Sequence, residues 1–329
     1  MLNNLTKMSL MNIMVIGVIM VICSNNFMSM WMGLEISLLS FIPMMSFSKS
    51  TGVSESMIKY FIIQCISSSM FLFSVISMLI GVNMEINESI ILISMALKMG
   101  LMPFHNWILF IIEMIDWTSI LIMLTVLKIP PFYIVNQLTT EIMMIFVFTS
   151  IWLSPIMCIN QSSIKKLIVF SSVYNLGIMV STINKFNLTL NLLLIYSIML
   201  FLLTKTLSSL KINYINQIVF NDFSKWTKIN LWINMLSMAG FPATMGFMMK
   251  IMVLEKLITE NQFFISMTMI ISSIIVIVFY TRMAFNCMMT TQVFKKWNKL
   301  NNYWNLTLLS SMTVNFTTSI FLISAKQIL

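Results

Sequence analysis

Several ionisable residues stand where the surrounding sequence offers them no water. Glu35 sits in WMGLEISLLSFIP, Lys98 in ISMALKMGLMPFHNW, Lys128 in LIMLTVLKIPP and Lys250 in GFPATMGFMMKIMVLEK. A charge at the centre of a bilayer costs about 3 kcal/mol on insertion scales, so several in one chain point to a use. Each shares its apolar run with a proline: Pro43, Pro103, Pro130 and Pro242 respectively. A proline inside a helix frees the carbonyl four residues earlier and bends the helix. In lipid a freed carbonyl is tolerated only against protein or a water-filled cavity. Ionisable groups beside such breaks have what proton transfer requires. Water or a free carbonyl is at hand, and burial disfavours the charged form of the group, so a proton can be gained or lost.

The competing explanation for a lysine near a helix end is snorkelling, in which the aliphatic stem stays in lipid and the ammonium reaches the headgroups. That explanation suits Lys59, Lys165, Lys166 and Lys256, which lie near the edges of their runs. It suits Lys98 and Lys250 least, because their neighbours on both sides are apolar, and it suits Glu35 poorly for the same reason. His105, the single histidine, follows Lys98 in the same run. Two helical turns would set the two on one face about 10 Å apart along the axis, although Pro103 interrupts that geometry. Glu113 and Asp116 stand beside Trp107 and Trp117, and tryptophan marks the membrane edge, so both acids are expected at the interface. Lys205 has no proline beside it and is read as interfacial.

The elements that carry these residues are helices. The chain of 329 residues is 59% hydrophobic and 9% charged, against about 25% charged in soluble domains. A soluble protein of this size must still wet its surface, and lipid removes that need. Apolar runs of the roughly 20 residues that a spanning helix requires recur along the whole chain, without the alternation of barrel strands. Run length and punctuation predict spans at about 8–23, 27–46, 56–80, 88–108, 118–136, 141–159, 165–184, 189–210, 229–257, 263–288 and 304–325. The expectation is an all-α polytopic protein of about eleven spans forming a single membrane domain over 1–329. All six prolines fall inside or at the end of an apolar run, as in the broken helices of transporters.

Other classes of function are excluded or disfavoured. The formal charge is +9, but the lysines are scattered and form no basic stripe, so nucleic acid is not an expected partner. Cys23, Cys65, Cys158 and Cys287 show no C-x-x-C pairing and there is one histidine, too few grouped ligands for zinc or an iron–sulfur cluster. Eight glycines form neither G-x-G-x-x-G nor a P-loop, so no nucleotide, flavin or metal is expected. No cleavable leader is expected either, since the first apolar run merges into a full span. The abundance of Met, Ile, Asn, Lys and Phe is what adenine/thymine-rich codons specify, and it hints at an organelle-type genome.

Four blocks resemble the mitochondrial NADH dehydrogenase subunit 2 family. WMGLEISLLSFIP followed by SESMIKYFIIQ looks like its beginning. LKMGLMPFHNW resembles its LKxGxxPFHxW block, INQSSIKKLIVFSSVYNLG its NQxxxRKxxAxSSIxHxG block, and SMAGFPATMGFMMK its LGGLPPxxGFxxK block. The blocks keep the family's order between about residues 30 and 250, and beyond them the likeness is of hydrophobic helices only. Asn175 replaces the family histidine, and AGFPA keeps Pro242 while losing the second proline.

The resemblance implies the antiporter-like fold of respiratory complex I, with inverted repeats and broken helices, here about 8–136 and 141–288 plus a C-terminal helix at 304–325. It implies a core membrane-arm subunit of the proton-translocating NADH:ubiquinone oxidoreductase in the mitochondrial inner membrane. Such a subunit has no redox centre. NADH, flavin, iron–sulfur clusters and ubiquinone belong to other subunits. Its partners are other membrane-arm subunits and lipids, and it does not form homo-oligomers. Glu35 corresponds to the family's membrane glutamate and Lys59 to its lysine partner. Lys98 is the central lysine of the first repeat, Lys128 lies on its broken helix, and Lys250 is the matching lysine of the second. These five form the expected proton relay, with His105 as a candidate further member. Two rivals use the same residues. A free-standing cation/proton antiporter would move ions when purified alone, and a structural, non-pumping membrane subunit would tolerate neutral replacement of its lysines.

Overall fold

The computed structural model describes residues 2–46, 51–81, 83–138, 142–220, 225–289, 313 and 315. The regular secondary structure of the described residues is helical apart from one isolated bridge between Ser163 and Tyr214. In chain order these are α1 (Leu2–Cys23), α2 (Phe27–Met45), α3 (Thr51–Ile80), α4 (Met84–Met99), α5 (Asn106–Ile112), α6 (Trp117–Leu124) and α7 (Ile129–Asn136). They continue with α8 (Ile142–Cys158), α9 (Ile164–Ser181), α10 (Phe186–Leu210), α11 (Ile215–Phe220), α12 (Lys225–Ala239), α13 (Met245–Thr259) and α14 (Phe263–Met289).

Among the described residues seven helices, one of them running through α6 and α7, are long and apolar enough to cross a membrane. The predicted total of eleven is not reached by that measure for physical reasons. The runs 88–108 and 229–257 are each interrupted, as α4/α5 and α12/α13, and α8 is short at 17 residues. The predicted span 304–325 lies outside the described residues apart from Thr313 and Asn315, both helical. Large apolar side chains face outward in rows, including Phe73 and Leu79 on α3 and Phe264, Ile274 and Val278 on α14. Contiguous apolar faces of this size are not left bare in water, and they suit lipid.

The helices also carry many serines. Their hydroxyls mostly return to carbonyls of their own helix, as Ser37 Oγ does to Leu34 O (2.8 Å) and Ser67 Oγ to Gln64 O (2.7 Å). That local bond satisfies the hydroxyl without any partner helix.

The chain divides into two compact units, one comprising residues 1–154 and 172–190 and the other residues 155–171 and 191–329. The first unit packs α1 against α2, α2 against α3, and α3 against α4 and α5, with α7 touching both α1 and α4. The α1–α2 crossing is made by Gly17 and Gly33. A Cβ on Gly17 would sit 2.9 Å from Gly33 O, and one on Gly33 would sit 2.8 Å from Gly17 O. Small residues that let backbones approach are the membrane solution to helix packing. This contact fixes the rotation of α2 and with it the direction of Glu35. In the second unit α12, α13 and α14 pack mutually, and α11 lies on α14.

Candidate functional site

The first unit builds its site around the end of α4. Gly100 follows Met99 in the left-handed conformation (φ 69°), and its N–H donates to Ala96 O (2.8 Å) while Leu101 N–H donates to the same carbonyl (3.1 Å). Glycine takes that conformation without a Cβ penalty and ends the helix. Lys98 therefore stands in the last turn of α4, and its side chain is buried.

The chain then runs through Pro103 to α5, leaving carbonyls without the partner four residues on that a continuing helix would supply. Side chains from elsewhere take them up. Trp107 Nε1 donates to Leu97 O (3.2 Å), Lys128 Nζ to Met99 O (2.5 Å) and Thr149 Oγ1 to Met102 O (3.0 Å).

Lys128 reaches Met99 from a second break. Between α6 and α7 the residues Val126–Lys128 form a 3-10 turn. Pro130 and Pro131 follow, and neither has the N–H that would bond the carbonyls of Val126 and Leu127. The helix tightens there, with Lys128 N–H donating to Thr125 O (3.1 Å). Lys128 is 2% exposed, and its ammonium also lies 5.6 Å from the centre of the Trp107 ring, a cation–π distance.

Between Lys98 and Lys128 lies a cavity of about 20 Å³, whose polar lining comprises Ser37, Tyr60, Gln64, Trp107 and the two lysines. A water requires about 10–15 Å³ of such space and two to four polar partners, so the cavity has room for one. Gln64 Nε2 is buried without a hydrogen-bond partner, as is Glu35 Oε1. Glu35 and Cys65 both lie close enough to Lys98 to act on its charge. The structure thus brings Glu35, Lys98 and Lys128 into one region.

It does not bring Lys59 there. Lys59 Nζ is 2.5 Å from Glu55 Oε1, both side chains are about half exposed or more, and Lys59 lies over the Phe110 ring. The expected Glu35–Lys59 pair gives way for a geometric reason. The buried stripe of α3 runs Val53, Ser56, Tyr60, Gln64, Ser67 and Phe71, which turns Lys59 outward with Glu55 one turn before it. Cys65, on the same helix, lies close enough to Glu35 to feel its charge.

His105 is buried at the start of α5, with Nδ1 3.2 Å from Pro103 O. Residues 101–105 are not helical, so the two-turn alignment with Lys98 is lost.

The second unit repeats the device. α12 ends at Ala239, Gly240 follows in the left-handed conformation (φ 75°), and Phe241 N–H donates to Leu236 O (3.1 Å). Lys250 Nζ, from α13, donates to Ala239 O (2.6 Å) and is buried. Gly246 lets α13 pass the end of α12, since a Cβ there would sit 2.0 Å from Ser237 O. In each unit a buried lysine holds the carbonyl of the residue directly before a left-handed glycine. LKMG and SMAG mark the two ends in the sequence, but which lysine reaches them is a matter of packing.

The remaining ionisable residues sort by exposure. Glu113, Asp116 and Lys205 are exposed and Lys165 and Lys166 half-buried. Lys256, read from sequence as an edge lysine, is buried with Nζ 3.5 Å from Glu260 Oε1. A carboxylate one turn further on, at the C-cap position of α13, lets it stay inside. Asn175 is buried on α9. Among the described residues no group of three His, Cys, Asp or Glu side chains is placed to hold a metal ion.

Broken helices whose ends are held by buried lysines define an antiporter-like membrane protein. Residues 24–276 match the family model described as NADH:quinone oxidoreductase/Mrp antiporter, transmembrane. NADH-ubiquinone oxidoreductase chain 2 of Anopheles gambiae is 33% identical over 92% of both chains, and that of Aedes aegypti 32% identical over 91% of both. A chain of respiratory complex I from Thermus thermophilus superposes with a TM-score of 0.82 over 95% of this chain and 78% of its own, at 15% identity, which speaks to the fold. The chain belongs to the NADH:quinone oxidoreductase/Mrp antiporter family and, within it, to the NADH-ubiquinone oxidoreductase chain 2 proteins.

Proposed function

We propose that this chain is a membrane-arm subunit of the proton-translocating NADH:ubiquinone oxidoreductase of the mitochondrial inner membrane, and that Glu35, Lys98, Lys128 and Lys250 carry its protons. Family membership supports the place in the complex. The observation that carries the site is the water-sized cavity with Lys98 and Lys128 on its walls and Glu35 within electrostatic reach.

One carboxylate, Glu35, lies within electrostatic reach of Lys98, and among the described residues Lys128 has only the Met99 carbonyl and the Trp107 ring. While Glu35 is ionised and near Lys98, the ammonium there is balanced, and a second proton on Lys128 is held only by Met99 O and the Trp107 ring. A displacement of Glu35, driven by quinone chemistry in other subunits, removes that balance. The proton on Lys98 can then cross one water to Lys128. Lys250, seated on Ala239 O in the same manner, takes the corresponding role in the second unit. His105 stays a candidate carrier beside this set. Lys59 does not, given its exposed pair with Glu55. No redox centre is assigned to this chain, and electron transfer belongs to its partners.

The test is proton stoichiometry in the assembled complex reconstituted in vesicles. Lys98→Met and Glu35→Gln should each lower the protons moved per NADH oxidised while the complex still assembles. Unchanged stoichiometry in both would remove these residues from the path.

A further inference from the structure

We infer that the second unit carries a site for the phosphate headgroup of an anionic phospholipid, with Arg282 as its cation. A cavity of about 360 Å³ opens where the end of α8, the 159–163 connection, α11 and α14 meet. That is within the roughly 300–1,000 Å³ of small-molecule sites. Its polar lining is Asn160, Gln161, Ser162, Asn216, Arg282 and Asn286, and among the described residues no acidic side chain lines it.

Arg282 is the one arginine in the sequence, is exposed on α14, and its guanidinium makes no hydrogen bond or ion pair with another described residue. A guanidinium offers a planar fork of donors that matches phosphate oxygens two at a time. The amides and the serine hydroxyl around it suit the ester and glycerol oxygens of a headgroup.

The walls are fixed before any ligand arrives. Ile164 N–H donates to Asn213 O (3.0 Å) and Ile215 N–H to Ser162 O (3.1 Å), which ties the α8–α9 connection to the segment before α11. The depth in the membrane is also marked. Tyr214, beside the cavity wall, is 54% exposed, and exposed tyrosine belongs at the headgroup level. Lys165 and Lys166 begin α9 next to the same connection and add positive charge.

The outward apolar row Ile271, Ile274 and Val278 of α14 leads to Arg282 one turn further on. An acyl chain lying along that row would place its phosphate at the guanidinium. Basic pockets between membrane helices are how anionic headgroups are recognised.

The experiment uses the purified membrane assembly that contains this chain, stripped with excess neutral detergent. Lipid retained is identified by mass spectrometry, and rebinding is measured from mixed micelles of anionic phospholipid, of phosphatidylcholine, or with inorganic phosphate alone. The wild-type assembly should rebind the anionic lipid in preference to phosphatidylcholine, with inorganic phosphate a weak competitor. Arg282→Gln should weaken the anionic arm by at least about fivefold, the equivalent of one basic residue at a charged surface, and Arg282→Lys, which keeps the charge but loses the fork, should fall between that variant and the wild type.

Equal binding of both lipids by the wild type overturns the proposal and requires no variant. Inorganic phosphate binding as tightly as the lipid overturns the lipid assignment. An Arg282→Gln assembly that forms normally and binds like the wild type removes Arg282 from the site. Proton stoichiometry is not read in this test, so the result stands apart from the relay.

Discussion

Lys128→Met separates the carrying of a proton from the holding of a helix end. Lys128 is 2% exposed, and its ammonium donates to Met99 O and faces the Trp107 ring at 5.6 Å. Its loss removes a charge-assisted hydrogen bond of about 1.5–3 kcal/mol and a desolvated cation–π contact of up to about 2 kcal/mol. Against these stands the removal of a charge from membrane depth, which costs about 3 kcal/mol to keep there on insertion scales. Methionine retains an unbranched chain that fills the same slot. The opposing contributions cancel to within about 2 kcal/mol, so the variant should assemble. It cannot pick up a proton at that position, so the protons moved per NADH should fall. Both quantities are read on one preparation, assembly by native electrophoresis and stoichiometry by pH change in vesicles. Lys128→Gln keeps a donor for the carbonyl but no titratable group, and should behave like Met. If Gln restored full stoichiometry, the side chain would matter only as a hydrogen-bond donor, and the reasoning would be refuted.

Two further substitutions probe the frame. Lys59→Met should leave proton stoichiometry unchanged and cost no more than about 0.5 kcal/mol, the usual worth of an exposed helix pair. A loss of pumping measured in vesicles would return Lys59 to the path. Gly246→Ala should destabilise the second unit by several kcal/mol, because the added Cβ meets backbone at 2.0 Å and backbone cannot swing aside as a side chain can. Thermal unfolding of the purified assembly checks it, and an unchanged midpoint would show that α12 and α13 separate freely.

Most of the span pattern was legible in the sequence, because run length and proline position report directly on helices in lipid. The apolar stretches through residue 288 correspond to helices or broken pairs. The glycines at 100 and 240 lie where those breaks fall. Lys98, Lys128 and Lys250 were legible as buried because apolar residues surround each one. Partner choice was not legible. Whether Glu35 meets Lys59 or Lys98 depends on the rotation of α3, which its mixed Ser, Tyr and Gln stripe sets and a hydropathy reading overlooks. Lys256 was misplaced at an edge because its run nears its end there, while Glu260 allows it to remain inside. The acceptors of Lys128 and Lys250 are main-chain carbonyls, and no residue type announces those.

The seating of lysines on helix ends ties chemistry to shape. An ammonium that closes a carbonyl gap is also a strut between two segments of chain. Its neutral form still has hydrogens to give but holds the oxygen less firmly, since the charge assistance is gone. A proton arriving at Lys128 or Lys250 therefore stiffens the joint, and one departing slackens it. The two joints act as gauges of their own occupancy, and a mechanical disturbance from elsewhere in the assembly has a place at which to be felt as a change in proton affinity.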